Sequence, residues 1–234
     1  MGNVLKIFGA ASLWAVSVAV AGAVLTEKVE SFPVSDVRLT ESVFKRAEDL
    51  DVRYLLGLDP DRLLAPYLKE AGLTPKAENY PNWENTGLDG HIGGHYLSAL
   101  AYMYAATGNE EIGRRLDYML AEMKRCQEAA GDGYLCGVPG GRKIWKEISE
   151  GNIRANSFGL NDRWVPLYNI HKTYAGLRDA YLVAGRKEAK DMFVALVDWM
   201  EKLTAGLSDD QMQDMLRSEH GGLNEVMADA ADMT

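Results

Sequence analysis

A helix headed by histidine is written into this sequence three times, and a repeat of that kind restricts the possible folds more than any composition does. The first copy is Gly94-His95-Tyr96-Leu97-Ser98-Ala99-Leu100, running on to Tyr104 and Gly108. The second is His171-Lys172-Thr173-Tyr174-Ala175-Gly176-Leu177, running on to Tyr181 and Gly185. Leu100, Tyr104 and Gly108 precede Leu177, Tyr181 and Gly185 by 77 positions each. The third copy opens at His220-Gly221-Gly222, continues through Asn224-Glu225-Val226-Met227-Ala228-Asp229, and meets Thr234 where the others approach their closing glycine. A repeated helical unit buries its apolar face only against its neighbours, so copies stack into an array. The histidines are therefore expected at one end of that array, and the unfinished third copy predicts an incomplete one.

Between the copies the pattern is helix after helix. Thr40 caps a predicted helix over residues 41–56, with Val43, Ala47, Leu50 and Tyr54 on one stripe. Asp59 and Pro60 supply the cap and first position of the next, which Pro66 interrupts or kinks. Residues 73–94 read as a loop holding Pro75, Pro81, Gly87, Gly90 and Gly93 around Trp83. Helices are predicted over 95–107 and 110–130. A second loop over 131–166 carries seven glycines and a short helical piece at 144–148. Helices resume over 167–184 and 187–203, and Ser208-Asp209-Asp210-Gln211 is a capping box that starts another. No run of alternating strand residues appears. The expectation is an all-α toroid or solenoid of helical hairpins. Its turns at Gly108 and Gly185 are tight, and its long loops lie on the histidine side, where binding usually sits.

Composition excludes some functions. The chain has 234 residues, 47% of them hydrophobic, enough for a sizeable core in one large or two small domains. Twenty-five Lys and Arg against 34 Asp and Glu leave a net charge of −9, which lacks the basic footprint of a nucleic-acid binder. Lys6 is the only charge before Glu27, residues 7–20 are almost wholly apolar, and Ala21-Gly22-Ala23 is a small-x-small site. Residues 1–23 thus read as a secretory signal, with a mature chain over 24–234 that is secreted or periplasmic. The apolar run is shorter than the roughly 20 residues of a membrane span, so no stable membrane insertion is expected after cleavage. Cys126 and Cys136 either form one disulfide around Gly131-Asp132-Gly133 or remain thiols. Neither belongs to a CxxC pair, so no zinc site is expected from them.

His91 and His95 are four apart and on a helix would share a face that could hold a metal. Gly93-Gly94 instead suggests a helix start there, and no Glu follows as in HExxH. No metal ligand is assigned, and the pair is read as imidazoles hydrogen-bonding around a helix N-terminus. His171 follows Trp164-Val165-Pro166-Leu167-Tyr168-Asn169, and His220 lies between Glu219 and Gly221. Three of the four histidines thus stand where helices begin, beside Trp, Asn and Asp. Aromatic planes with amides, carboxylates and imidazoles suit a sugar, whose apolar face stacks while its hydroxyls are read. The alternative is that each histidine only caps its helix. Glu84 with Asp89, or Glu219 with Glu225, has the residue types of a glycosidase pair, but spacing along a chain gives no separation in space. No catalytic residue is assigned.

Longer strings carry a more specific likeness. Phe32-Pro33-Val34-Ser35-Asp36-Val37-Arg38-Leu39, Asp61-Arg62-Leu63-Leu64-Ala65-Pro66-Tyr67 and Tyr80-Pro81-Asn82-Trp83 resemble the opening of the β-L-arabinofuranosidases of glycoside hydrolase families 127 and 146. So do Gly87-Leu88-Asp89-Gly90-His91, Gly94-His95-Tyr96-Leu97-Ser98-Ala99, Gly137-Val138-Pro139-Gly140, Trp164 to Lys172, and Glu219-His220-Gly221-Gly222-Leu223-Asn224-Glu225. The likeness is closest to family 146 and spans nearly everything after the signal. It implies an (α/α)6 barrel whose loop face binds an arabinose-containing oligo- or polysaccharide. It also implies removal of terminal β-L-arabinofuranose from plant glycans with retention of configuration. The nucleophile it implies is a cysteine thiolate on zinc, with a Glu as acid/base, built from motifs in the second half of the family's catalytic domain. Those motifs have no counterpart here, and Cys126 and Cys136 match none of them. The expectation is a fragment of an exported hydrolase, inactive by itself and without a cofactor of its own. The likeness assigns substrate contact to His171 and His220, and more weakly to Asp89, His91 and Trp83, with Glu225 as an orienting group. Six hairpins need twelve helices and periodicity finds roughly seven or eight, again predicting an incomplete barrel. The alternatives are a non-catalytic carbohydrate-binding helical protein and a metal-dependent enzyme using His91 and His95.

Overall fold

Capping chemistry places most helices where the sequence predicts them. The computed structural model describes residues 31–234, so the expected signal segment and the expected mature start near Val24 lie outside the described residues. Helix α1 is Val43–Gly57, capped by Ser42 rather than Thr40. Helix α2 is Pro60–Glu70, whose cap Asp59 accepts from the Asp61 amide at 3.0 Å. Pro66 sits buried inside α2 without ending it. Then come α3, His91–Thr107, and α4, Glu110–Ala130, joined through Gly108 in the left-handed region. Helix α5 is Gly141–Ser149, α6 is Pro166–Leu182 and α7 is Lys187–Thr204. Helix α8, Asp209–Met215, carries the predicted capping box, and α9 is Gly221–Met233. The all-α expectation holds, with one small addition.

That addition is an antiparallel meander in the second loop: β1, Ala155–Asn156, β2, Gly159–Leu160, and β3, Arg163–Trp164. Strands of two residues are too short to show alternation. Their signal lies in the turn, where Asn161 (φ 48°) and Asp162 (φ 62°) both take the left-handed conformation that joins twisted strands in two residues.

The repeat becomes a layer because glycines bring backbones together. A Cβ on Gly94 would sit 2.3 Å from the Lys172 carbonyl, and one on Gly176 would sit 2.7 Å from the Gly94 oxygen and the Leu97 Cβ. Residues 94 and 97 thus meet 172 and 176 in the same order, so α3 and α6 run parallel. Gly222 lies against the His171 ring, and Arg178 reaches Glu225 and Asp229, so α9 runs parallel to α6. The three helix heads therefore share one end. Helices α4 and α7 return along α3 and α6 as a second layer. Between the layers lie Leu97, Leu100, Leu116, Met119, Leu177 and Leu196, all fully buried. Tyr174 packs edge-on against Phe193 at 5.7 Å and donates to the Leu196 carbonyl at 2.7 Å.

Two readings need adjusting. The α1 stripe faces outward: Val43, Leu50 and Tyr54 are 75%, 55% and 65% exposed, and Leu55 is the buried residue of that helix. Periodicity marks an apolar face without saying which face meets the core. The choice between disulfide and thiols resolves to two buried free thiols. Among the described residues no helix is long and apolar enough to cross a membrane.

Candidate functional site

The head of α3 is closed from outside the helix. Glu84 lies in a 3-10 turn, Asn82–Asn85, and is completely buried. Its carboxylate accepts from the Gly90 amide at 2.9 Å and the Ile92 amide at 3.0 Å, filling orphan donors at the helix start. The N-cap position itself is Gly90, at φ 93°, where a side chain would strike the Gly137 backbone. His91 is 4% exposed, and its Nδ1 lies 2.7 Å from Glu84 Oε1 and 2.7 Å from the Leu88 carbonyl. Both neighbours are acceptors, so Nδ1 carries a proton, and in the neutral ring Nε2 is the acceptor. Gly93 and Gly94 do not begin the helix as expected. They lie inside it, because the Tyr67 ring and the α6 backbone approach too closely for a Cβ. His91 and His95 therefore do share a helix, with ring centroids 6.1 Å apart. No group of three potential metal ligands occurs among the described residues.

An aromatic cleft of about 290 Å³ opens over His91, walled by Trp83, Phe158, Trp164 and Tyr168, with Glu219 at its edge. That is close to the lower end of ligand-pocket volumes, about 300 Å³. Trp83 stands 6.2 Å from the His91 ring and meets Trp164 edge-on at 6.4 Å, and Tyr168 lies 6.3 Å from His91 on the other side. The meander brings Phe158 and Trp164 here. Val165 then turns the chain into α6 at φ 34°, ψ 55°, a left-handed conformation that a β-branched residue adopts only under strain. Such strain costs on the order of 1–3 kcal/mol. It is held by the Val165 amide donating to Phe158 at 3.0 Å and by the Asn169 amide donating to Val165 at 3.0 Å.

The model of the β-L-arabinofuranosidase GH127 catalytic domain matches residues 36–234. The chain belongs to this family. No curated protein matches it. The match makes the chain a glycoside hydrolase family member, and the structure brings only two of the six expected contact residues to the cleft.

Trp83 and His91 form the cleft of this GH127 domain. Asp89 does not point its chemistry there. Its carboxylate accepts from the Gly87 amide at 2.9 Å and Asn79 Nδ2 at 3.0 Å, and burial, more than the nearby Glu84 charge, raises its pKa. Glu84 and Asp89 are thus both occupied by loop and helix-head donors. Asn169 Nδ2 donates to the Leu88 and Asp89 carbonyls at 3.0 and 2.9 Å, fastening α6 to that loop. His171 and Glu225 belong to the α6–α9 contact. Burial first, then the Lys172 charge, lowers the His171 pKa to about 4. Glu225 pairs with Arg178 at 3.1 Å, and the same guanidinium holds Asp229 at 2.7 Å and Asp179 at 3.0 Å. His220 stands at the N-cap position of α9 without a side-chain cap hydrogen bond, its Nδ1 instead 2.9 Å from the Ser218 carbonyl.

Sequence reasoning did not single out Phe158, Tyr168 or Lys172. The Lys172 ammonium sits 4.2 Å over the Tyr168 ring, and burial lowers its pKa. Tyr168 and Lys172 are four apart in α6, a spacing that was available as a signal. Neither Cys126 nor Cys136 fits the zinc-held thiolate that the resemblance implies. Burial pushes both Cys126 and Cys136 up to about 12, and the Cys136 thiol donates to Asn169 Oδ1 at 3.6 Å.

Proposed function

We propose that this chain forms the sugar-holding face of a GH127 enzyme that acts outside the cytoplasm on terminal β-L-arabinofuranose of plant glycans. Residues 36–234 taken alone bind that sugar without cleaving it. The observation that carries the proposal is the aromatic cleft that Trp83, Trp164 and Tyr168 form over the His91 imidazole. A furanose ring presents an apolar face to Trp83 while a hydroxyl donates to Nε2. Zinc in this family would hold a thiolate deprotonated and aimed. Cys126 and Cys136 resist deprotonation by their burial, so no step is assigned to them. Glu84 and Asp89, committed to backbone amides, support binding rather than proton transfer.

Calorimetry with a β-L-arabinofuranosyl oligosaccharide tests this. Saturable binding is expected, weakened about tenfold in Trp83→Ala, the loss of one aromatic stacking contact. Absence of binding overturns the sugar assignment. Release of arabinose by this chain alone overturns the binding-only part.

A further inference from the structure

Glu84 is the most deeply buried carboxylate near the cleft, 0% exposed, and it touches three donors at once. Two are the backbone amides of Gly90 and Ile92 at the head of α3, and the third is His91 Nδ1. A cap for the helix alone needs only the amides, and the usual Ser, Thr, Asp or Asn at the N-cap position would serve. Here the N-cap is glycine, and the carboxylate comes from six residues earlier through a separate turn. That route places a carboxylate beside the imidazole as well as beside the helix start. The turn is itself held, because Asn79 Nδ2 donates to the Glu84 carbonyl at 2.7 Å.

From this geometry we infer that Glu84 is a positioning residue for the cleft. By binding Nδ1–H it fixes the tautomer and plane of the neutral His91 ring, in which Nε2 meets the ligand as an acceptor. Glu84 does not touch the ligand itself. Its neighbour Trp83 projects into the cleft with 61% of its surface exposed, so one short turn supplies both the stacking ring and the group that aims the imidazole. The pairing of Leu88 O with the same Nδ1 reinforces the tautomer, and Asn169 on α6 holds that carbonyl in place. A ligand hydroxyl at this position therefore has to donate, and an analogue in which it is replaced by a group without a proton is rejected. The inference rests on the sugar-binding proposal for what occupies the cleft, and on the geometry alone for the state of His91.

Long-range proton–nitrogen NMR on the full chain with labelled histidine reads the tautomer directly. The wild-type spectrum is expected to show His91 protonated at Nδ1 and bare at Nε2. A His91 protonated at Nε2 overturns the inference, whether or not any sugar binds. In Glu84→Gln the same signals are expected to shift or broaden as the ring loses its anchor, and affinity for the arabinofuranosyl oligosaccharide to fall about tenfold, the loss of one well-aimed hydrogen bond. Ser208→Ala, which removes a helix cap remote from the cleft, controls for lost stability and is expected to leave affinity unchanged. Should Glu84→Gln fail to fold, Glu84→Asp retains the charge and withdraws it by one methylene, with the same two readouts. If the wild type binds sugar and a folded Glu84 variant binds it equally well with unaltered His91 signals, Glu84 only caps the helix. If the wild type binds no sugar, the functional proposal falls while the tautomer still decides the positioning role.

Discussion

Helices α3 and α6 carry the same repeat, yet their heads are built in opposite ways. The α3 head is closed by a remote buried carboxylate that also holds His91. The α6 head has no side-chain cap and begins with a strained Val165 followed by Pro166, which has no amide to satisfy. His91, one turn ahead of the repeat's His95, is in consequence clamped at Nδ1, whereas among the described residues nothing hydrogen-bonds the His171 ring, which packs against Gly222 and is kept neutral by burial. Helices that share a repeat thus carry an oriented imidazole just ahead of it in one case and a desolvated imidazole within it in the other. The difference comes from the loops in front of the helices, not from the helices.

The largest expected effect joins the two heads. Gly94→Ala would force a Cβ to 2.3 Å from the Lys172 carbonyl, where backbone rather than a flexible side chain has to yield. A loss of about 3 kcal/mol in urea denaturation is expected, at the upper end of overpacking costs. A loss under roughly 1 kcal/mol would show that the α3–α6 contact adjusts easily. Next, Glu84→Ala strands the Gly90, Ile92 and His91 donors and should cost about 3 kcal/mol, whereas Pro166→Ala at the other head should cost less than about 1 kcal/mol. Equal losses would erase the contrast between a clamped head and an open one.

The smallest effect is in pH dependence. His171 has its folded pKa lowered to about 4 from an ordinary 6.5, so the unfolded chain binds the proton more readily. Stability from this group is complete above the ordinary value and declines as pH falls towards the folded one. The facing charges are Lys172, Arg178 and His95, which oppose protonation, and Glu225, which favours it. The melting temperature should therefore drop modestly between pH 6.5 and 5, and the drop should shrink in His171→Gln. An undiminished slope in that variant assigns the effect to other groups.

Much of the helical frame was legible in the sequence, for reasons that are local. Asp59-Pro60, Ser208 with Gln211, and Gly108 each set a helix boundary by hydrogen bonds within a few residues. Gly93 and Gly94 were misread because a glycine that permits close packing looks the same as one that starts a helix. The α1 stripe shows the same limit, since its outward face depends on neighbours far along the chain. In the cleft, Trp83 and His91 were named from sequence, while Phe158 and Tyr168 arrived with a meander and a helix turn that carry little periodic signal.

By itself the sequence determined most of the helix boundaries, the repeat that α3 and α6 carry and the family the chain belongs to. Those follow from periodicity, capping and motif strings, which act over short stretches of chain. Only the tertiary structure decided that Glu84 holds His91 rather than pairing with Asp89, that Glu225 is tied to Arg178, and that both cysteines stay buried thiols. Each of these depends on which groups share a desolvated space, and that is set by the packing of segments distant in sequence.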